Sequence, residues 1–246
     1  MRKYLTVLRV EGKLSLRTPD GLFFGIGMPM AVLLLISMLV GNQQVRGGGY
    51  TFMQSSYPAL ATVGICATAF MGLPLTISDY RDKKILKHFF TTPTSPLLLL
   101  GVHVTVCVLT ALASALGVTL VAMLVLDYRM TGSWLGFIGS YFLVMLSMYS
   151  IGMMMASLCK TIKQANLVCN LVYFPMLFLS GAVIPYEIFP NGMQKLASIL
   201  PLTQGIQLLK LVSLEGVDSL PLFSLLYLLI FGILGILVSA KTFRWE

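Results

Sequence analysis

Long uncharged apolar stretches recur along this chain, and each is bounded by a polar or charged segment. They cover about 22–40, 57–78, 96–126, 134–158, 165–185 and 220–240, and His103 is the only titratable side chain among the basic and imidazole groups inside the third of them. A helix that crosses a bilayer needs about 20 mostly apolar residues. These runs meet that length, and they are continuously apolar rather than alternating, which argues against strands of a barrel. Lipid offers no partner for backbone N–H and C=O groups, so each run must be helical. The pattern predicts an all-α polytopic membrane protein, one transmembrane domain over 1–246 with six spans.

The polar segments have patterns of their own. In 1–20, Leu5, Leu8 and Leu16 alternate with Arg and Lys at near-helical spacing, which predicts an amphipathic interfacial helix in the headgroup plane. Thr18-Pro19-Asp20 breaks it, because proline restricts the residue before it. Between the second and third runs, Asp79, Asp82, Lys83 and Lys87 alternate with Tyr80, Ile85, Leu86 and Phe89-Phe90, which predicts a short amphipathic helix. Asp79 and Lys83 form an i,i+4 pair in the favoured direction. Thr92-Pro93 ends that helix and Ser95-Pro96 starts the next. The stretch 186–200 carries Ile188, Phe189, Met193, Leu196, Ile199 and Leu200, with only Glu187 and Lys195 as charges. Too short to span and too apolar to float free, it predicts an amphipathic segment packed on the outer rim, before the last span.

Charge fixes the expected orientation. Of 17 Lys and Arg residues, thirteen fall in the leader, the second connection, the fourth connection and the tail. The positive-inside rule then places both termini in the cytoplasm of a multi-pass protein of the cytoplasmic membrane. The net charge of +8 reads as this topology signal, not as a nucleic-acid surface, which would gather on one soluble module. The chain is 57% hydrophobic and 11% charged, whereas soluble domains carry about 25% charged residues. The first run is too long for a signal core and lacks a small-residue cleavage site, so it should stay as a span.

Several chemistries drop out. The only Gly-Lys pair, Gly12-Lys13, has Val7 where a Walker A loop needs its first glycine, so the chain does not hydrolyse ATP through that motif. His88 and His103 are the only histidines, no His-Glu-x-x-His pair occurs, and no late-span histidine is present to activate a serine. Paired intramembrane carboxylates, the mark of proton or ion coupling, are missing. Cys66, Cys107, Cys159 and Cys169 lie in or beside apolar runs at spacings that suit neither zinc nor a disulfide framework, and read as small buried residues. His103 reads as a neutral imidazole bonded to a neighbouring helix, with a substrate or proton contact as its alternative.

The second connection is longer than a loop requires. It is either a solvated basic loop that fixes topology or a docking helix pushed by another cytoplasmic protein. Its sequence, with Thr91-Thr92-Pro93-Thr94-Ser95-Pro96 entering the third span, resembles the coupling loop of type-2 ATP-binding-cassette exporter permeases. A second match follows: Ser180-Gly181-Ala182-Val183-Ile184-Pro185, Phe189-Pro190, Leu200-Pro201-Leu202-Thr203 and Lys210. The resemblance implies a permease subunit that moves an amphipathic or lipophilic substrate such as a drug, a peptide antibiotic or a lipid. It implies no cofactor bound by this chain, with ATP and Mg in two copies of a separate ATPase, and a second permease copy, identical or paralogous. It places the ATPase contact on Asp79, Tyr80, Arg81, Asp82, Lys83, Lys84, Leu86, Lys87, Phe89 and Phe90.

In the fifth span Asn166, Asn170, Phe174 and Phe178 recur every four residues and so share one helical face. Buried amides need partners. That face either packs on a neighbouring helix through amide hydrogen bonds or, as the resemblance implies, lines a substrate path at a subunit interface. Gly132-x-x-x-Gly136 points only to a close approach. A non-transporting membrane scaffold or assembly factor is the alternative to the exporter.

Overall fold

The computed structural model describes residues 2–17, 23–40, 50–84, 96–184, 186–216 and 221–243. Among them the chain forms nine helices: α1 (Arg2–Arg17), α2 (Phe23–Val40), α3 (Phe52–Asp82), α4 (Pro96–Leu124), α5 (Trp134–Leu158), α6 (Ile162–Leu179), α7 (Asn191–Ala197), α8 (Pro201–Leu214) and α9 (Leu222–Thr242). Helices α3, α4, α5, α6 and α9 are long and apolar enough to cross a membrane, α2 is a shorter apolar helix, and α7–α8 form a pair bent by 99°. The all-α polytopic fold expected from the sequence is the fold observed.

Two proline-linked irregularities shape the bundle. Phe23–Gly27 and Thr68–Gly72 are π-helical turns inside α2 and α3, and each stops two residues before a proline, Pro29 and Pro74. Proline offers no N–H to the carbonyl four residues back and crowds it, so the turn ahead widens. The widened turn of α3 sits against α5 at Gly152, where a Cβ would overlap the Ala69 carbonyl oxygen. At the start of the turn Thr68 Oγ1 donates back to Gly64 O (2.8 Å) and shares a 2.7 Å hydrogen bond with Tyr149 Oη of α5.

Helix α3 is the axis of the molecule. It is buried along most of its length, with Tyr57, Leu60, Ile65 and Phe70 fully enclosed, whereas α6 and α9 lie at the periphery. Its start is set by a capping box: Gln54 N–H donates to Thr51 Oγ1, and Thr51 N–H donates to Gln54 Oε1. The helix therefore begins five residues before the expected 57. It also runs past Ser78 to Asp82, because no helix-breaking residue stands there. It ends in a turn at Lys83–Lys84, with Lys84 in the left-handed region (φ 55°). Residues 79–82, expected to open a separate coupling helix, are the last turn of α3; the rest of that expected helix lies outside the described residues. Helix α6 stops at Leu179 rather than near 185, because Gly181 (φ 90°) follows the cap Ser180 and a left-handed residue ends a helix.

One helix was not foreseen. Residues 201–214, left unassigned between the rim segment and the last span, form α8, which is buried along most of its length against α3, α5 and α9. Its signal was Pro201 at the first helical position, ahead of an apolar stretch too short to span. Gln204 holds the bend before it: Nε2 donates to Ser198 O (2.6 Å), and Ser224 Oγ on α9 donates to Gln204 Oε1 (2.7 Å). The segment ahead of the bend keeps Ile188, Met193, Leu196 and Ile199 exposed.

Gly132 makes the close approach its pattern suggested, but before α5 begins and against backbone. Its N–H donates to Ser213 O (2.9 Å), and a Cβ there would overlap the Val212 carbonyl oxygen.

Candidate functional site: a junction at the last turn of α3

Tyr80, Arg81 and Asp82 are consecutive, and each reaches a different part of the molecule. Tyr80 Oη donates to Glu11 of α1, 3.1 Å from Oε1 and 3.2 Å from Oε2. Arg81 Nη1 donates to Ala156 O (2.8 Å) and Cys159 O (3.0 Å) at the C-terminal end of α5. Asp82 Oδ2 accepts the Ile162 N–H (2.8 Å) at the first residue of α6. Arg81 also stacks over Phe243, just past α9, with Cζ 4.9 Å from the ring centroid.

Helix ends explain this arrangement. The last carbonyls and first N–H groups of a helix have no partner inside it. The aligned peptide dipoles favour a cation at the C-terminus and an anion at the N-terminus, each worth about 0.3–1 kcal/mol at a surface and up to about 2 when partly buried. Arg81 and Asp82 meet these opposite demands on the two sides of the tight α5–α6 connection. Thr161 Oγ1 accepts from Gln164 N–H (3.3 Å) and completes the start of α6. Burial holds the Cys159 thiol above its ordinary range, with the Arg81 charge opposing the shift, so Cys159 stays a protonated packing residue.

The remaining described members of the expected docking set lie at the rim of this junction. Asp79 Oδ2 pairs with Lys83 Nζ at 2.7 Å, and Lys83 and Lys84 are exposed. Leu86, Lys87, Phe89 and Phe90 lie outside the described residues. The structure thus ties Tyr80 and Arg81, both half-buried, and Asp82, still exposed, to other helices. Glu11, the carbonyls at the end of α5, Ile162 N–H and Phe243 are partners that the sequence reading did not name. The legible hint was three different polar side chains in the last turn of an otherwise apolar span. His103 lies beside the junction, its ring 6.4 Å edge-on from Tyr80 and its Nε2 3.7 Å from Cys107 Sγ one turn along α4.

The four candidate pathway residues do share a face of α6. Asn166, Phe174 and Phe178 are exposed and Asn170 is half-buried. Asn170 Nδ2 donates to the Asn166 carbonyl and to Asn166 Oδ1, both at 2.7 Å, so the two amides satisfy each other along the helix. Phe174 and Phe178 stack with centroids 6.4 Å apart. Leu167 and Leu171 extend the exposed surface.

Five helices long and apolar enough to cross a membrane, a sharply bent helix pair and a polar junction where five parts of the chain meet define a polytopic membrane protein. The chain belongs to the ABC-2 type transporter family, whose model matches residues 2–214. The match is to the membrane component of such transporters. Over 96 residues it is 34% identical to Nodulation protein J of Bradyrhizobium diazoefficiens, covering 39% of this chain and 36% of that protein. Over 65 residues it is 38% identical to Nodulation protein J of Rhizobium leguminosarum bv. viciae, covering 26% of this chain and 25% of that protein. The chain therefore spans about a third and a quarter of these curated relatives.

Proposed function

We propose that this chain is the membrane subunit of an exporter in the cytoplasmic membrane, with both termini and the α3 junction on the cytoplasmic side. Two copies, or one copy and a paralogue, would assemble with two ATPase subunits that bind ATP and Mg. The substrate class is amphipathic or lipophilic, in keeping with the scarcity of charge inside the spans.

The observation that carries this reading is the branching of α3's last turn to α1, α5, α6 and the end of α9. The stretch from Asp79 to Phe90 is where the family resemblance puts the ATPase. A push there reaches four other parts of the chain through three adjacent side chains. ATP binding to the partner then biases two arrangements of the bundle by binding one of them better. The exposed α6 face, with its paired amides and stacked phenylalanines, is the surface assigned to the second copy and to the substrate path.

The test is co-expression with a cognate ATPase. The chain alone should hydrolyse no ATP, and the pair should purify as one complex. In the Asp82→Ala, Lys83→Ala double variant, ATP turnover should persist while substrate export falls. Wild-type export by that variant would remove the junction from the mechanism. Labelling of a Lys84→Cys variant in intact cells by a membrane-impermeant maleimide would overturn the orientation.

A further inference from the structure

Helix α1 carries five cations, Arg2, Lys3, Arg9, Lys13 and Arg17, and one acid, Glu11. Its two faces are finished differently. Tyr4, Leu8, Glu11 and Ser15 share one face by helical spacing, and all four are half-buried. That face meets α4 and the end of α3. Tyr4 Oη donates to Gly101 O (3.3 Å) and shares a hydrogen bond with Thr105 Oγ1, and Glu11 accepts from Tyr80 Oη. The outer face exposes Lys3, Arg9 and Lys13, with Leu5, Val10 and Leu14 each more than half exposed beside them. The one acid of the helix is thus spent inward. Among the described residues no carboxylate pairs with Arg9 or Lys13.

The spacing of the cations is as informative as their number. Arg9, Lys13 and Arg17 recur every four residues and so form one row along the helix. Neighbours in such a row have Cβ atoms about 5–6 Å apart, and like charges at that spacing weaken a helix. Glu11 has no cation three or four residues away, so no acid–base pair within α1 offsets the repulsion. An anion laid over the row removes it, and one phosphate can be shared by two adjacent members. The positive-inside rule accounts for cations at this end of the spans, but not for their collection in one outward row.

The aliphatic neighbours identify the source of the anion. A helix that exposes cations among Leu and Val side chains beds into the boundary between headgroups and acyl chains. Helix α1 lies at that level. Glu11 meets Tyr80 in the last turn of α3, where the apolar span gives way to Asp79, Asp82 and Lys83. From the exposed cation row, its lack of carboxylate partners and its aliphatic flanks, we propose that the outer face of α1 binds anionic phospholipids of the adjoining leaflet, with lipid phosphates at Arg9 and Lys13. Clusters of about 4–8 basic residues on an amphipathic helix have this property, and each cation near such a surface is worth about five-fold in affinity. The proposal rests on membrane embedding and depends neither on the direction of transport nor on the ATPase.

The experiment uses the full chain in nanodiscs made of equal parts phosphatidylcholine and phosphatidylglycerol. After transfer to detergent, retained lipids are counted by native mass spectrometry. Wild type should keep phosphatidylglycerol in preference to phosphatidylcholine. Lys13→Gln should lower that ratio about five-fold, and the Arg9→Gln, Lys13→Gln double variant should lower it further. Lys160→Gln with Lys163→Gln removes two exposed cations from the α5–α6 connection and the start of α6, and should leave the ratio unchanged. Lys13→Glu separates lipid binding from helix stability. It turns two repulsions along the row into attractions, so thermal unfolding should hold or rise while the ratio falls below that of Lys13→Gln. A wild-type ratio near one overturns the proposal. So does an equal fall in the α5–α6 control, which would reduce the effect to overall charge. A Lys13→Glu variant that gains stability and keeps the wild-type ratio overturns it as well. If the α1 double variant keeps the wild-type ratio but no longer retains the ATPase in a pull-down, the face belongs to a protein partner and the proposal fails.

Discussion

Two helix C-termini in this molecule are finished in opposite ways. At the end of α8, the carbonyls of Val212, Ser213 and Leu214 are met by the 131–133 connection. Ser133 N–H donates to Val212 O (3.3 Å), Gly132 N–H to Ser213 O (2.9 Å) and Thr131 Oγ1 to Leu214 O (2.8 Å). That cap is largely backbone on backbone, and it sits beside a packed aromatic group. The Tyr57 ring centroid is 4.6 Å from Tyr128 and 5.6 Å from Phe137. At the end of α5, the carbonyls of Ala156 and Cys159 are met by one long side chain, Arg81, reaching over from α3. A backbone cap in a dense aromatic setting has one geometry. A guanidinium on a flexible stem can keep its bonds while the helices move relative to each other. On the reading proposed above, the α8 end acts as a fixed block and the α3 junction as the compliant end that receives the ATPase stroke.

The largest effect should come from breaking the rigid end. In Gly132→Val the new side chain meets the backbone of Val212 and Ser213, which cannot move aside as a side-chain tip can. Overpacking commonly costs about 1–3 kcal/mol, and the loss of the cap adds to it. The expected result is loss of the monodisperse peak in size-exclusion chromatography, or a large drop in thermal unfolding temperature. Gly152→Val, against the widened turn of α3, should behave alike. Wild-type unfolding of Gly132→Val would show that this end is not rigid.

Breaking the compliant end should cost less stability and more function. Arg81→Ala leaves the α5 carbonyls without their donor and removes the stack on Phe243, a loss of about 1.5–3 kcal/mol for a charged hydrogen-bonding group. Arg81→Lys keeps the charge but loses the fork, and should fall between wild type and alanine. Both should remain folded in a thermal-shift assay, while export per ATP hydrolysed drops in the order wild type, lysine, alanine. Equal export by all three would mean that the junction is only structural.

How much of this was visible in the sequence follows from the physics of each part. The long helices were legible because lipid forces continuous apolar runs of a minimum length, and 134–158 was read to the residue. Helix ends were less legible. The start of α3 depends on Thr51 and Gln54 acting together, and the end of α6 on the left-handed Gly181. Helix α8 escaped because it enters the bundle without crossing it, so no length rule applies. The junction escaped for a different reason. Tyr80, Arg81 and Asp82 sit in a charged segment that reads as solvent-facing, and nothing local says that their partners lie far away in the chain at Glu11, Ala156, Ile162 and Phe243. The Asn166–Asn170 face was readable as a stripe. That the two amides bond each other along the helix needed coordinates.

A finer test separates the two single bonds of the junction. Asp82→Asn keeps an acceptor for the Ile162 N–H but removes the negative charge at the start of α6, so about 0.3–1 kcal/mol should be lost. Tyr80→Phe removes one hydrogen bond to Glu11, worth about 1 kcal/mol. If the junction works as a unit, the double variant should lose more export than the sum of the two, since groups sharing one network are not additive. Simple additivity would reduce the junction to two separate contacts.

The smallest effect is expected at the rim. The Lys83–Asp79 pair is short at 2.7 Å, but the lysine side chain is 63% exposed, and such pairs contribute about 0.3–0.5 kcal/mol on a helix. Lys83→Ala should therefore leave unfolding nearly unchanged, and raising salt should remove even that difference by screening the charges. Its use lies in the contrast with Asp82→Asn. Both substitutions are in the same turn, but among the described residues it is Asp82 that bonds another helix, while Lys83 pairs with Asp79 of its own. If coupling runs through contacts between helices, Asp82→Asn changes export per ATP while Lys83→Ala does not. If instead the partner ATPase reads the exposed charges of this turn, Lys83→Ala weakens the complex in a pull-down and Asp82→Asn leaves it intact. Measuring complex formation and export for both variants at low and high salt distinguishes a lever anchored inside the bundle from a charged landing surface on its outside.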